Sequence, residues 1–115
     1  TEQLIALAGA AAEGVMAAQF LDRLNQMPAY LAFQRDHQQR FGRSGGFAEL
    51  AGFDAMGVAC QALAAQGSGE TLKQTLLRLR RFTGAQHAVE FTPYGDAVRQ
   101  TYLTRVTNGR YEVLG

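Results

Sequence analysis

The twenty residues from Gly46 to Ala65 read Gly-Phe-Ala-Glu-Leu-Ala-Gly-Phe-Asp-Ala-Met-Gly-Val-Ala-Cys-Gln-Ala-Leu-Ala-Ala. A helix built from them is apolar on almost every side, so it must be covered over most of its circumference. The segments on either side are too polar to do this. In a chain of 115 residues the helix predicts a core shared with something outside the sequence, either a second copy or the rest of a longer protein. Length alone does not force this, because a self-contained domain of this size buries roughly two thirds of the surface its unfolded chain exposes.

Charge excludes two classes of partner. The formal net charge is +1 from 11 Lys and Arg against 10 Asp and Glu, so no global field draws the chain to nucleic acid or to an anionic membrane. The nearest approach to a basic patch is Lys73, Arg78, Arg80 and Arg81, which fall on the polar side of a predicted helix near its C-terminus, where cations suit the helix dipole. They read as a solvated face. The single Cys60 excludes an internal disulfide and leaves the redox compartment open. Set among Ala and Val, it reads as a small buried hydrophobe rather than a reactive thiol. Apolar runs are broken by Gly, Asp and Gln well short of the ~20 residues a membrane span needs.

Hydrophobic spacing lays out the elements. Thr1 to Ala12 is expected to be the end of a helix, with Leu4, Leu7 and Ala8 on one face and Gly9 as a stop. The apolar run from Gly14 to Leu21 is consistent with a strand buried on both faces, as in a parallel sheet. After a polar loop, Pro28 suits the first turn of a helix carrying Phe33, His37 and Phe41 at i, i+4 and i+8. Gly42-Arg43-Ser44-Gly45-Gly46 interrupts it, and Ser44 is positioned to cap the apolar helix. Gln66 to Gly69 ends that helix, and Ser68 is expected to cap a third with Leu72, Leu76 and Leu79 in one stripe. Strands follow at Ala88 to Phe91, Val98 to Val106 and Arg110 to Leu114. Between the last two, Asn108-Gly109 predicts a type I′ hairpin turn.

Candidate chemistry is sparse. Residues 42–46 match G-x-S-x-G literally, but a nucleophile elbow needs a strand leading into the serine, and here a helix precedes it. His87, Asp54 and Asp96 follow without recognisable triad spacing. As a phosphate loop the same segment lacks the G-K-[ST] ending. His37 and His87 lie in different elements and no Cys, His or carboxylate group has metal spacing, so no metal, cofactor or catalytic residue is assigned. His37 is expected to border the Phe33/Phe41 stripe and His87 to start a strand. Asp54 interrupts the apolar helix, and a buried acid must be hydrogen-bonded or paired. We expect it to bond to backbone or to an arginine.

The order of motifs is similar to that in a known family. Ala11-Ala12-Glu13-Gly14-Val15 leading into an apolar strand, a helix ending Arg40-Phe41-Gly42-Arg43, the Ala51-Gly52-Phe53-Asp54-Ala55 helix, and Val89 to Tyr102 followed by an Asn108-Gly109-Arg110-Tyr111 hairpin resemble the C-terminal part of type I periplasmic binding proteins, nearest the branched-chain amino acid receptors of ABC transporters. The likeness runs from about Leu4 to Leu114. Phe53 stands where Tyr often precedes Asp-Ala, and Thr92-Pro93 replaces an acid-containing turn.

The resemblance implies an α/β fold, part of one lobe of a type I periplasmic-binding-protein architecture (parallel sheet flanked by helices) with a C-terminal β-hairpin. Residues 14–81 would lie in one lobe, and 92–115 would cross back to the hinge and the other lobe. It implies a non-enzymatic solute-binding component of an ABC transporter, exported to the periplasm, that closes two lobes on a small amino acid or related solute and docks on a transporter permease. Phe47 and Glu49, at the start of the apolar helix, are the expected ligand contacts, with simple packing of Phe47 on Leu50 and Ala51 as the alternative. As a C-terminal fragment the chain is expected to self-associate. The other reading is a free-standing α/β interaction module that dimerises through helix 46–65.

Overall fold

Three short apolar stripes, not one, organise the chain. The computed structural model describes all 115 residues as four α-helices and six strands: α1 (Glu2–Ala8), β1 (Met16–Gln19), α2 (Pro28–Phe41), α3 (Phe47–Ala64), α4 (Leu72–Leu79), β2 (Arg81–Phe82), β3 (Val89–Phe91), β4 (Ala97–Val98), β5 (Tyr102–Thr107) and β6 (Arg110–Val113). A single 3₁₀ turn, Gly9–Ala12, links α1 to the approach to β1.

The local signals act largely as read. Gly9 ends α1 at φ 55°, Pro28 opens α2, and Gly42 closes it in the left-handed region at φ 71°, where glycine carries no Cβ penalty. Asn108 and Gly109 take φ 51° and 71°, the pair of positive angles a type I′ turn demands, and β5 and β6 pair antiparallel across it. The two serine caps are corrected. Gly46 occupies the N-cap of α3 and its N–H is taken by the Glu49 carboxylate at 3.1 Å. Thr71 caps α4, accepting from Gln74 N–H at 3.2 Å while Gln74 reaches back to Thr71 N–H at 2.8 Å. Both helices thus use the residue next to the apolar run together with a side chain three positions on.

Strand pairing differs from expectation. The sheets have the orders β1-β5-β6 and β2-β3-β4, and every pair is antiparallel. The strand expected over 14–21 is Met16–Gln19, with alternate residues exposed, so it is not buried on both faces within this chain. Its composition suits a buried strand, but β5 flanks it on one edge only. The run from Val98 to Val106 breaks at 99–101, so β4 and β5 belong to different sheets. β2 was not anticipated. Arg80 ends α4 at φ 61° and turns the chain straight into it, and pairing with β3 holds it there.

Burial is correspondingly divided. Leu21, Tyr30, Phe33, Leu50 and Ala85 form one cluster. Val58, Ala62, Phe82 and Val89, with Leu72, Leu76, Leu79 and Phe91 against them, form a second. Ala12, Val106 and Tyr111 form a third under α1. Only 18 of 115 residues are buried. The accessible surface is 7477 Å², whereas a self-contained protein of this mass has about 6,200 Å². Likewise the radius of gyration is 16.5 Å against about 13.4 Å for a compact domain of this length.

Much of the excess is on α3. Leu50, Asp54, Val58 and Ala62 face the chain's own core, while Phe53, Met56 and Leu63 are 53 %, 66 % and 57 % exposed. Cys60 lies on the same uncovered stripe and is exposed, correcting the expectation that it is buried. Phe53 meets the Phe33 ring at 5.0 Å, and the stripe is otherwise left largely open.

Candidate functional site

Two features stand where the chain passes between its sheets, a trough and a buried ionic node. The trough starts at Phe47, the first residue of α3, whose ring is 39 % exposed. Phe20, just past the end of β1, stacks on it with ring centroids 6.4 Å apart. With Thr1, Ala17, Ala18 and Gln19 the two rings line a cavity of about 230 Å³. An adjoining cavity of about 460 Å³ shares Thr1 and Phe47 and is bordered by Glu2, Arg43, Ser44 and Glu49. The apolar end is thus aromatic, and the neighbouring end polar.

Glu49 sits on the rim with its oxygens committed. One accepts from Gly46 N–H and the other meets Arg43 Nη2 at 2.6 Å. The Arg43 guanidinium and the backbone bonds hold its carboxyl below the usual range. Leu50 belongs to the Leu21, Tyr30, Phe33 and Ala85 cluster, and the aromatic neighbour of Phe47 is Phe20.

The loop before α3 is rigidly tied. The Gln34 amide donates to Gly45 C=O at 2.8 Å and accepts from Gly45 N–H at 2.9 Å, like a strand partner. His37 Nδ1 lies 2.7 Å from Arg43 C=O, and its ring sits between Phe33 and Phe41 at 5.8 and 4.7 Å, bordering that stripe as expected. A Cβ on Gly45 would come within 2.7 Å of the Phe33 ring. Ser44 is exposed, follows a helix and makes no side-chain hydrogen bond, so the G-x-S-x-G match has the context of an interhelical turn.

The ionic node centres on Asp54, which is 3 % exposed. It accepts from Ala85 N–H at 2.9 Å and from Arg99 Nη2 at 2.5 Å, so backbone and arginine both partner it, as anticipated. Sequence reading missed Arg99. It lies 45 positions from the acid it meets, in a run that also holds Gln100, Thr101 and Arg105, so nothing local marks it out. Gly84 is required here because a Cβ would collide with the His87 carbonyl and come within 3.3 Å of the Asp54 carboxylate. The His87 ring packs edge-on to Tyr102 at 6.3 Å. Both His87 ring nitrogens and Arg99 Nε are buried without partners. His87 lies in a bend two residues before β3, not at its first residue.

Two outcomes follow from the node. Asp54→Ala strands the half-buried Arg99 guanidinium and the Ala85 N–H, and is expected to cost about 3 kcal/mol, or about 10 °C in a thermal melt. An unchanged melting temperature would show the carboxylate to be solvated. Burial, with the Arg99 charge second, holds the His87 pKa below the usual histidine value, partly offset by Asp54. The unfolded chain therefore takes up the proton first as pH falls. The stability due to neutral His87 is complete above about pH 6.5 and is lost as the pH drops toward the lowered folded value. Urea melts at pH 7.5 and 5 should show a loss that shrinks in His87→Gln; an equal loss in the variant would remove His87 from the account.

Neither a protein-family model nor a curated protein matches the sequence. Solved structures do. An ABC transporter substrate-binding protein from Desulfitobacterium hafniense in complex with Leu aligns with TM-score 0.81 at 24 % identity, over 90 % of this chain and 32 % of that one. A leucine-binding protein from Thermotoga maritima aligns with TM-score 0.79 at 21 % identity, over 100 % and 34 %. A solute-binding protein of an ABC transporter from R. palustris in complex with benzoate aligns with TM-score 0.72 at 19 % identity, over 97 % and 32 %. The chain spans about a third of the length of each, and it has the fold of that part of the type I periplasmic-binding-protein architecture seen in branched-chain amino acid ABC transporter substrate-binding proteins.

Proposed function

We propose that this chain is part of the solute-binding component of an ABC transporter, non-enzymatic and working in the periplasm, which closes two lobes on a small amino acid or related solute and hands it to a permease. The observation that carries the reading is the Phe20–Phe47 trough. One ring comes from the end of β1 and the other from the start of α3, 6.4 Å apart, so movement between the two sheets would open or close the gap between them. Apolar aromatic walls with polar groups at one end suit an apolar side chain attached to a charged head. Phe47 is the proposed contact, with Phe20 beside it and Glu49 on the rim. In this reading the lobe crossings move from about 14 and 92 to 20–22 and 99–101, because β1 pairs with β5. No helix is long and apolar enough to cross a membrane.

A cleft closed by two lobes needs contacts from both. Calorimetric titration of the 115-residue chain with leucine, valine or benzoate is therefore expected to show no heat of binding. In a longer gene product that contains the chain, one of these classes should bind and Phe47→Ala should weaken it about tenfold or more. Micromolar binding by the 115 residues alone would overturn the shared-cleft reading.

The exposed stripe Phe53, Met56, Cys60 and Leu63 favours a second reading, an interaction module that pairs through α3. Uncovered apolar patches above a few hundred Å² generally mark interfaces. Sedimentation equilibrium at tens of micromolar should give a dimer or larger, and Phe53→Glu should return it to monomer. A strict monomer for the parent chain would remove this reading.

A further inference from the structure

We infer that residues Gly84 to His87 form a clamp that fixes how the two sheets lie relative to each other, with Arg99 and Asp54 as positioning residues at one crossing and Gln86 at the other. The inference rests on the two-unit reading of the cleft and adds to it the device that sets the angle between the units.

The chain passes between sheets twice, once after β1 and once between β4 and β5. Each passage is tied to the same four residues. At the first, the Gln86 amide donates to Asp22 C=O at 2.6 Å and accepts from Asp22 N–H at 3.2 Å, with Gln86 itself 6 % exposed. At the second, Arg99 is the residue immediately after β4, and its guanidinium reaches Asp54, which in turn holds Ala85 N–H. Gly84 lets the segment approach Asp54 closely, since any side chain there would displace the carboxylate or the His87 carbonyl. His87 reaches across to Tyr102, the first residue of β5 in the other sheet. Four consecutive residues therefore engage both crossings and the central helix.

The ties differ in character, which is what makes this a clamp instead of ordinary packing. Gln86 replaces a strand partner with two neutral hydrogen bonds, a rigid link. Arg99 is held by one charge contact while its Nε and both His87 nitrogens have no partner. At the second crossing the pair with Asp54 is the restraint.

Spin labels test this on the 115-residue chain without solute, so the outcome is independent of whether the trough binds anything. In a Cys60→Ser background, one label pair at positions 36 and 112 spans the two units. A second, at 36 and 73, lies within one. All three sites are exposed. The parent should give a narrow distance distribution for both pairs. Arg99→Gln should broaden the spanning distribution about twofold and leave the internal pair unchanged. Arg99→Lys, which keeps the charge but not the reach, should broaden it less, and adding Gln86→Ala should broaden it further. An unchanged spanning distribution in Arg99→Gln overturns the inference. So does equal broadening of both pairs or loss of fold in Arg99→Gln and Arg99→Lys alike, because Arg99 would then hold the fold and not the angle.

Discussion

A carboxylate buried at 3 % exposure in the middle of an apolar helix is the constraint on which the rest of this structure depends. Removing Asp54 from water is costly unless its charge and lone pairs are matched, and the match comes from a backbone N–H at position 85 and a guanidinium at position 99. Those two partners bring the β2–β3 connection and the second sheet crossing onto the face of α3. Gly84 then has to be glycine, and His87 has to lie beside Arg99 and Tyr102. One acid thus ties two distant segments to α3.

Against that local order stands a shortage of burial. Three clusters of five, four and three buried residues replace the single continuous core expected of a domain of this length. The surface exceeds that of a self-contained monomer by about a fifth. The secondary structure is nevertheless well formed. The caps of α3 and α4, the β5–β6 hairpin and ion pairs such as Glu70 with Arg78 at 2.8 Å are formed inside the chain. Glu70 accepts from Arg78, from Gly67 N–H and from Thr75 Oγ1, and its carboxyl is lowered to about 2 by the arginine first and these bonds after it. These local interactions close within the chain, whereas much apolar surface does not.

The sequence was legible wherever a short-range rule decided the outcome. Helix limits at Gly9, Pro28 and Gly42, the Asn108-Gly109 turn and the core stripe Leu72, Leu76 and Leu79 all follow from neighbours within a few positions. The need of Asp54 for a partner was legible too, because burying a charge is costly whatever the fold. Which arginine answers it was not, since Arg99 is 45 residues away and no local periodicity records that distance. Phe20 was hidden for the same reason. It read as the end of a strand, and only the placement of Phe47 beside it makes it part of a trough. The misplaced caps and the buried Cys60 fail differently. Ser44 and Ser68 are good cap residues that lie two and three positions too early, and Cys60 is small and apolar by composition but sits on the exposed side of its helix.

β1 requires a kind of cover that α3 does not. Its residues Met16-Ala17-Ala18-Gln19 carry no charge and no proline, and β5 pairs with only one of its edges. Natural edge strands are usually blunted by lysine, proline or a bulge, because an open row of N–H and C=O groups recruits other strands. No apolar side chain can satisfy that row, however well it would fill the stripe along Phe53, Met56 and Leu63. A segment that lent a strand at β1 as well as a hydrophobic surface at α3 would close both openings. A partner offering only helices would leave the first sheet open.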